Sequence, residues 1–164
     1  KRCLRDLKEL GYQVGTGFMV GSPWQTMANL LEDLAFIREL QPQMIGIGPF
    51  IPHHATPFKN YPAGTLEQTL TLLSVLRLMF PKVLLPATTA LGTIVPNGRE
   101  LGILAGANVV MPNLSPADVR QNYLLYDNKL CSGAEAAEAK NDLAARLHSI
   151  GYEIAEGRGD YKES

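Results

Sequence analysis

The sequence predicts an α/β fold in which four parallel strands alternate with helices, about half of a (β/α)8 barrel. Three observations predict it. Four runs, "YQVGTGFMV" (12–20), "MIGIG" (44–48), "KVLLPA" (82–87) and "NVVMP" (108–112), are continuously apolar and do not alternate. That pattern suits parallel strands covered on both faces. Helix-periodic segments separate the runs, the order expected of strand–helix units. The 164 residues fall short of the ~200 or more that a complete eightfold barrel takes.

Taken in order, "KRCLRDLKELG" (1–11) reads as the end of a helix already under way, so the chain is expected to be a piece of something longer. Residues 26–40 place Leu30, Leu31, Leu34, Ile37 and Leu40 on one helical face. Residues 65–80 open with Thr65 and Gln68, a capping-box pattern, and carry the stripe Leu66, Leu70, Leu73 and Leu76. A shorter helix spans 97–105, with Gly106 as the residue that ends it. Ser115-Pro116 opens another, as N-cap and first-turn proline. A last helix runs from about 134 to 149 and ends at Gly151. The predicted division is a half-barrel over 1–131 and a C-terminal helical extension over 132–164, its Ala- and Glu-rich helix a solvated cap. Half a barrel has two open edges, which calls for a missing half upstream or a second copy.

Apolar residues make up 46% and charged residues 19%, the balance of a soluble globular domain. The net charge of -1 gives no electrostatic case for nucleic acid or an anionic membrane. No apolar run approaches the ~20 residues of a membrane span. Cys3 and Cys131 read as reduced thiols of a cytoplasmic protein.

Several motifs bear on chemistry. "GTGFMVGSPWQT" (15–26) has glycines at 15, 17 and 21, a spacing that fits neither a dinucleotide loop nor a Walker loop. In-strand glycines of this kind permit close backbone approach, here expected to a bulky planar ligand inside a barrel. The loop 49–64, "PFIPHHATPFKNYPAG", is stiffened by four prolines and follows a strand's C-terminal end, where barrel enzymes place their sites. His53 and His54 are adjacent, so in an extended loop they point apart and make a poor chelating pair; no metal site is predicted. Cys131 alone is neither a metal site nor a partnered nucleophile. Thr88 and Thr89 follow Pro86 at a strand end. They stand either as ordinary strand-end residues or as hydroxyls holding a small anion; the helix near 97 lies too far on for them to cap. Tyr123 and Tyr126, three apart on a predicted helix, share a face, where partly buried packing is the ordinary role. Met19 and Met111 lie in strand runs, where core packing is the ordinary role. The residues alone specify a polar pocket at strand ends and no complete catalytic set.

"GFMVGSPWQT", "MIGIGPFIPHHATP", "LPATTALGTIVPNGRE" and "AGANVVMPNLSP" together resemble one family. It is the HydE group, the radical S-adenosylmethionine (SAM) maturases of FeFe hydrogenase, and more broadly biotin synthase and its relatives. The resemblance runs from about residue 9 to 131. It implies the C-terminal half of a radical-SAM (β/α)8 TIM-type barrel, strands 5 to 8 with C-terminal helices. It also implies an enzyme in which a 4Fe-4S cluster cleaves SAM, and the 5′-deoxyadenosyl radical attacks a small sulfur-containing substrate during hydrogenase maturation. Carried onto this sequence, Met19, Pro49, Ile51, Pro86, Met111 and Tyr123 would line the SAM side. Thr88 and Thr89 would hold a substrate carboxylate or similar anion, and Tyr126 would face the substrate and radical.

The departures from the family are specific. The sequence has no CxxxCxxC, so this chain ligates no SAM-activating cluster and is expected to be inactive alone. "CSGAEAAEAKNDL" offers only Cys131 where some members hold a second cluster. Two alternatives stand beside the maturase reading. One is a biotin-synthase-like sulfur inserter, for which the arginine cluster ligand is missing from "PATTA", with Arg99 a weak substitute. The other is a stand-alone half-barrel that dimerises and binds a small anion. The expected partners are a small sulfur-containing or anionic substrate and, for the parent, hydrogenase maturation proteins.

Overall fold

Parallel strands form where the sequence is continuously apolar, and neighbours in the chain are neighbours in space. The computed structural model describes residues 1–112, 116, 118, 119, 122, 125–129 and 136–162. β1 (Gly15–Val20) pairs in parallel with β2 (Met44–Pro49), and β3 (Pro86–Ala87) with β4 (Val109–Val110). A parallel bridge between Met44 and Leu84 joins the two pairs. The order β1-β2-β3-β4 has no reversal, which is the connectivity of a barrel and not of a doubly wound sheet.

β3 is shorter than the run 82–87 predicted. Pro86 has no N–H to give to a ladder, and the pairing around it is made by backbone outside the named strand. Ile45 N–H donates to Leu84 O (2.9 Å), Leu84 N–H to Gln43 O (3.0 Å) and Val109 N–H to Leu85 O (3.1 Å). Two side-chain amides supply the acceptors that backbone does not. Gln43 Oε1 accepts from Val14 N–H (2.7 Å) and Asn108 Oδ1 from Leu85 N–H (2.8 Å).

The helices cover one face. α1 (Arg2–Glu9) sends Leu4 into a small cluster with Val14, Phe36 and Leu40. Lys8 Nζ donates to Leu40 O and to Gln41 O (2.9 Å), holding the last carbonyls of α2 (Met27–Leu40). α2 starts at Thr26 with a reciprocal cap to Asn29. It buries Leu30, Ile37 and Leu40 as predicted, but Leu31 lies 60% exposed and Phe36 takes the buried place. The reason is α1, which adds a second contact surface on the Phe36 side. α3 (Leu66–Met79) starts at Thr65, whose hydroxyl accepts from Gln68 N–H (3.2 Å). It buries Leu73 and Leu76, with Leu66 and Leu70 packed at the margin.

Two predicted elements differ. A short helix, α4 (Thr89–Ile94), begins directly after β3 with Thr88 at its N-cap position. The spacing to the helix at 97 predicts no such role for them, because α4 itself has no periodic signal in so short a segment. α5 (Gly98–Leu104) then follows, and Gly106 closes it at φ +117°. Gly98 lets α5 start close to α4, since a Cβ there would lie 2.0 Å from Leu91 O. The segment in which the sequence predicts a helix after Ser115 lies largely outside the described residues. Ser115 itself lies outside them, and Val119 and Asn122 make i+3 turn bonds to Pro116 O and Val119 O. α6 (Ala136–Ser149) is the last helix. It is no solvated cap, because Leu143 and Leu147 are buried in the main core with Val20, Ile45, Ile47, Leu73 and Leu85.

Candidate functional site

Strand parity places one set of residues on the face away from the helices. In β1 and β2 the pairs Gly15–Met44, Gly17–Gly46 and Met19–Gly48 share that face, while Val20, Ile45 and Ile47 go into the core. The expected covering of both faces is therefore met on one face only, and the other is open in this chain. From the Met44–Leu84 bridge the same parity continues to Pro86 and Thr88, and from the Pro86–Val109 pair to Met111. One row thus crosses the C-terminal ends of all four strands: Met19, Gly48, Thr88, Met111. Met19 is 58% exposed and Met111 49%, so both thioethers stand on the open face.

Thr88 is the polar member of the row. Its Oγ1 is buried with no hydrogen-bond partner. It rests against Gly48, where an added Cβ would come within 2.7 Å of it. A buried hydroxyl left unpaired is uncommon and marks hydrogen-bonding capacity that the protein itself does not use. Thr89 diverges from it into the first turn of α4, and its carbonyl accepts from Thr93 Oγ1 (3.2 Å). Behind the row, Gly46 has open space where its side chain would be. Gly17 is different. A Cβ there would lie 1.8 Å from Gly46 O, so the close approach it permits is to the neighbouring strand and not to a ligand.

The strand-end loops are fixed by specific contacts. After β1, Gln25 bridges the turn, accepting from Gly21 N–H (2.7 Å) and donating to Met19 O (2.7 Å). Gly64 brings the 51–64 loop back onto β1 and β2, with a Cβ position only 2.0 Å from Val20 O. Trp24, in the left-handed region at φ 62°, packs edge-on against Phe58 and Tyr61 of that loop.

The remaining predicted residues fall as follows. Pro86 is buried and shares the parity of Thr88. Pro49 is buried but follows Ile45 and Ile47 in register, on the helix side. Ile51 is half-buried just beyond β2. Tyr126 is half-buried on a bend rather than a helix, and Tyr123 and Cys131 lie outside the described residues. Tyr126 is brought to the strand-end rim by its neighbour Asp127, whose N–H donates to Pro52 O (3.1 Å).

His53 and His54 do not point apart. The loop turns at His53, with Thr56 N–H bonded to His53 O (3.0 Å), and the two rings stack with centroids 4.3 Å apart. Asp127 joins them: its Oδ1 lies 2.7 Å from His54 Nδ1 and its Oδ2 accepts from His54 N–H (2.9 Å). The hydrogen bond from His54, with its charge, holds the Asp127 carboxyl below the usual carboxylate range. Gly48 and this trio were missed in the sequence. The paired GxG patterns of β1 and β2 were a usable signal for Gly48. No local signal links His54 to a residue 73 positions on.

Comparisons with known proteins fit this geometry. No protein-family model matches the chain. Over 129 residues, 79% of the chain, it is 51% identical to FeFe hydrogenase maturase subunit HydE of Thermotoga maritima, spanning 37% of that protein. The resemblance to HydE stands. Over 126 residues, 77% of the chain, it is 33% identical to 3-methylornithine synthase of Methanosarcina barkeri, spanning 35% of it. The crystal structure of methylornithine synthase (PylB) superposes with a TM-score of 0.74 at 28% identity, over 94% of this chain and 44% of that one. The fold is therefore that of a partial radical-SAM TIM-type barrel, and the chain spans well under half the length of the curated relatives it matches. Among the described residues no helix is long and apolar enough to cross a membrane.

Proposed function

We propose that this chain is the C-terminal half of a radical-SAM enzyme that acts as HydE does, in FeFe-hydrogenase maturation, on a small sulfur-containing or anionic substrate. The observation that carries this reading is the row Met19–Gly48–Thr88–Met111, with an unused hydroxyl at its centre, in a chain 51% identical to HydE over 129 residues. The lower identity to 3-methylornithine synthase supports that chemistry only as a second reading.

When bound, SAM and a 4Fe-4S cluster supply a 5′-deoxyadenosyl radical. Cys3 and Cys131 are the two cysteines of the chain and cannot give three thiolates, so no step here runs through the cluster. The open face suits the organic ligands better. Met19, Met111 and Pro86, with Ile51 just beyond β2, form the SAM side, apolar surfaces that exclude water around a reactive species. Thr88 donates its hydroxyl to a substrate anion, with Thr89 beside it, and offers no strongly basic atom. Tyr126 faces the substrate as the catalytic residue.

Two measurements test the reading. Anaerobic reconstitution of this 164-residue chain should yield essentially no acid-labile sulfide; a full cluster's iron with matching sulfide, per chain or per dimer, would overturn it. In the complete parent, Thr88→Val should weaken substrate retention more than uncoupled SAM cleavage. Equal loss of both would make Thr88 a shaper of the barrel only. Alone in solution, the open edges of the half-barrel should pair two copies, and a clean monomer by light scattering would exclude that pairing.

A further inference from the structure

We infer that His53, His54 and Asp127 form a mononuclear site for a divalent transition metal at the strand-end rim, separate from any iron–sulfur chemistry. One donor atom from each of the three lies within 4.8 Å of the other two. Two imidazoles and a carboxylate are the donor set that zinc and the later first-row metals take, and that magnesium and calcium do not favour.

The site is held from behind. Asp127 is fixed to the loop by its own N–H on Pro52 O and by accepting from His54 N–H. The loop is stiffened by Pro52 and Pro57 and by the Thr56–His53 turn, which stacks the two rings. The backbone is thus held in place, and binding asks the two stacked rings to tilt until their nitrogen lone pairs converge on the ion. His54 Nδ1 and Asp127 Oδ1 are hydrogen-bonded at 2.7 Å. A divalent ion takes the place of the proton in that bond, and metal–ligand bonds of about 2.0–2.2 Å open this pair slightly and draw His53 inward. His53 gives up one contact in exchange, since its Nδ1 now accepts from Ala55 N–H (3.0 Å). His54 is exposed, so the ion keeps at least one position open to water or to a ligand. The inference goes beyond the HydE-like reading and does not depend on it, because none of the three residues belongs to the SAM or anion set.

The test is a titration with Co²⁺ alone, in chelator-free buffer, of the chain carrying Cys3→Ser and Cys131→Ser so that no thiol competes. We expect saturation at one ion per chain, a visible ligand-field band, displacement by Zn²⁺, and indifference to excess Mg²⁺. His53→Gln, His54→Gln and Asp127→Asn keep hydrogen-bonding groups in place, and each should weaken Co²⁺ by about tenfold or more with the far-UV spectrum unchanged. Absence of saturable Co²⁺ binding, or binding that His54→Gln and Asp127→Asn leave intact, would overturn the site. Should Asp127→Asn perturb the fold, the His53→Gln titration decides by the same criterion.

Discussion

The two faces of the strand array follow opposite rules. On the helix side, Val20, Ile45, Ile47 and Leu85 are fully buried against α2, α3 and their neighbours. On the other side the same strands present Gly15, Gly17, Gly46 and Gly48, with Met19 and Met111 standing exposed. The first face is where apolar burial stabilises the fold. The second has given up side chains, and with them packing energy, for close approach of neighbours at Gly17 and Gly48 and for open space at Gly46. A face so poor in Cβ atoms stabilises little by itself and accommodates a ligand at little cost in rearrangement.

The largest effect should follow from cutting the helix-side face. Ile47→Ala should lose about 2–5 kcal/mol of stability, read as a lower urea midpoint with an unchanged slope. Met19→Ala, two strand positions from the same core, should stay within about 0.5 kcal/mol. Equal costs would mean that the open face is packed in solution and that the contrast between faces is false.

The glycines sharpen the contrast within one pair. Gly17→Ala drives a methyl onto the Gly46 carbonyl and should cost about 1–3 kcal/mol, as overpacking does. Gly46→Ala meets open space and should be neutral or slightly stabilising, because alanine restricts the unfolded chain. In the parent protein the order should invert, with Gly46→Ala harming ligand binding more per unit of stability lost. Paired urea melts and binding titrations decide it.

Much of this architecture was legible. The four apolar runs, Thr65 as a helix start and Gly106 as a helix end all follow from local chemistry that tertiary structure had no reason to override. The misreadings have physical causes. Leu31 sits on a valid helical stripe but faces solvent, because α1 covers a different side of α2 and buries Phe36. α6 looked solvated from its alanines and glutamates, yet Leu143 and Leu147 suffice to dock it. Of the site, Met19, Thr88 and Met111 were legible through a family resemblance, whereas the row that aligns them depends on register, which one strand alone does not encode. The approach of Asp127 to His53 and His54 is long-range and left no trace in sequence spacing.

The latch between α5 and α6 should show a smaller, pH-dependent effect. Arg146 grips both oxygens of the buried Glu100 carboxylate, with Nη2 to Oε2 at 2.8 Å, and also donates to Pro96 O. Burial alone would raise the Glu100 carboxyl. The Arg146 hydrogen bonds, a backbone bond at Glu100 itself and the charges of Arg146 and Arg99 outweigh it and hold the group below its usual range. A depressed folded value means that the stabilisation is fully present above the unfolded glutamate pKa and is lost as pH falls through the folded one. Stability should therefore decline on acidification below the ordinary carboxylate range. Glu100→Gln should cost about 1–2 kcal/mol at neutral pH and flatten that decline. An unchanged pH profile in Glu100→Gln would place the acid sensitivity elsewhere.

Thr88→Val should give the smallest change, and one of opposite sign. The hydroxyl is hydrogen-bonded to water in the unfolded chain and to nothing in the folded one. It makes no side-chain cap to α4, so nothing local is lost with it. Valine keeps the branched shape and removes the unsatisfied group, and the expected gain is up to about 1 kcal/mol. A core threonine kept for packing alone would gain nothing functional from staying polar, so the variant separates two roles. Stability that rises while substrate retention in the parent falls would mean that the hydroxyl is held at a thermodynamic cost for a ligand. Stability that falls would mean that Oγ1 has a partner in solution, and the open face would then have no unused donor at its centre.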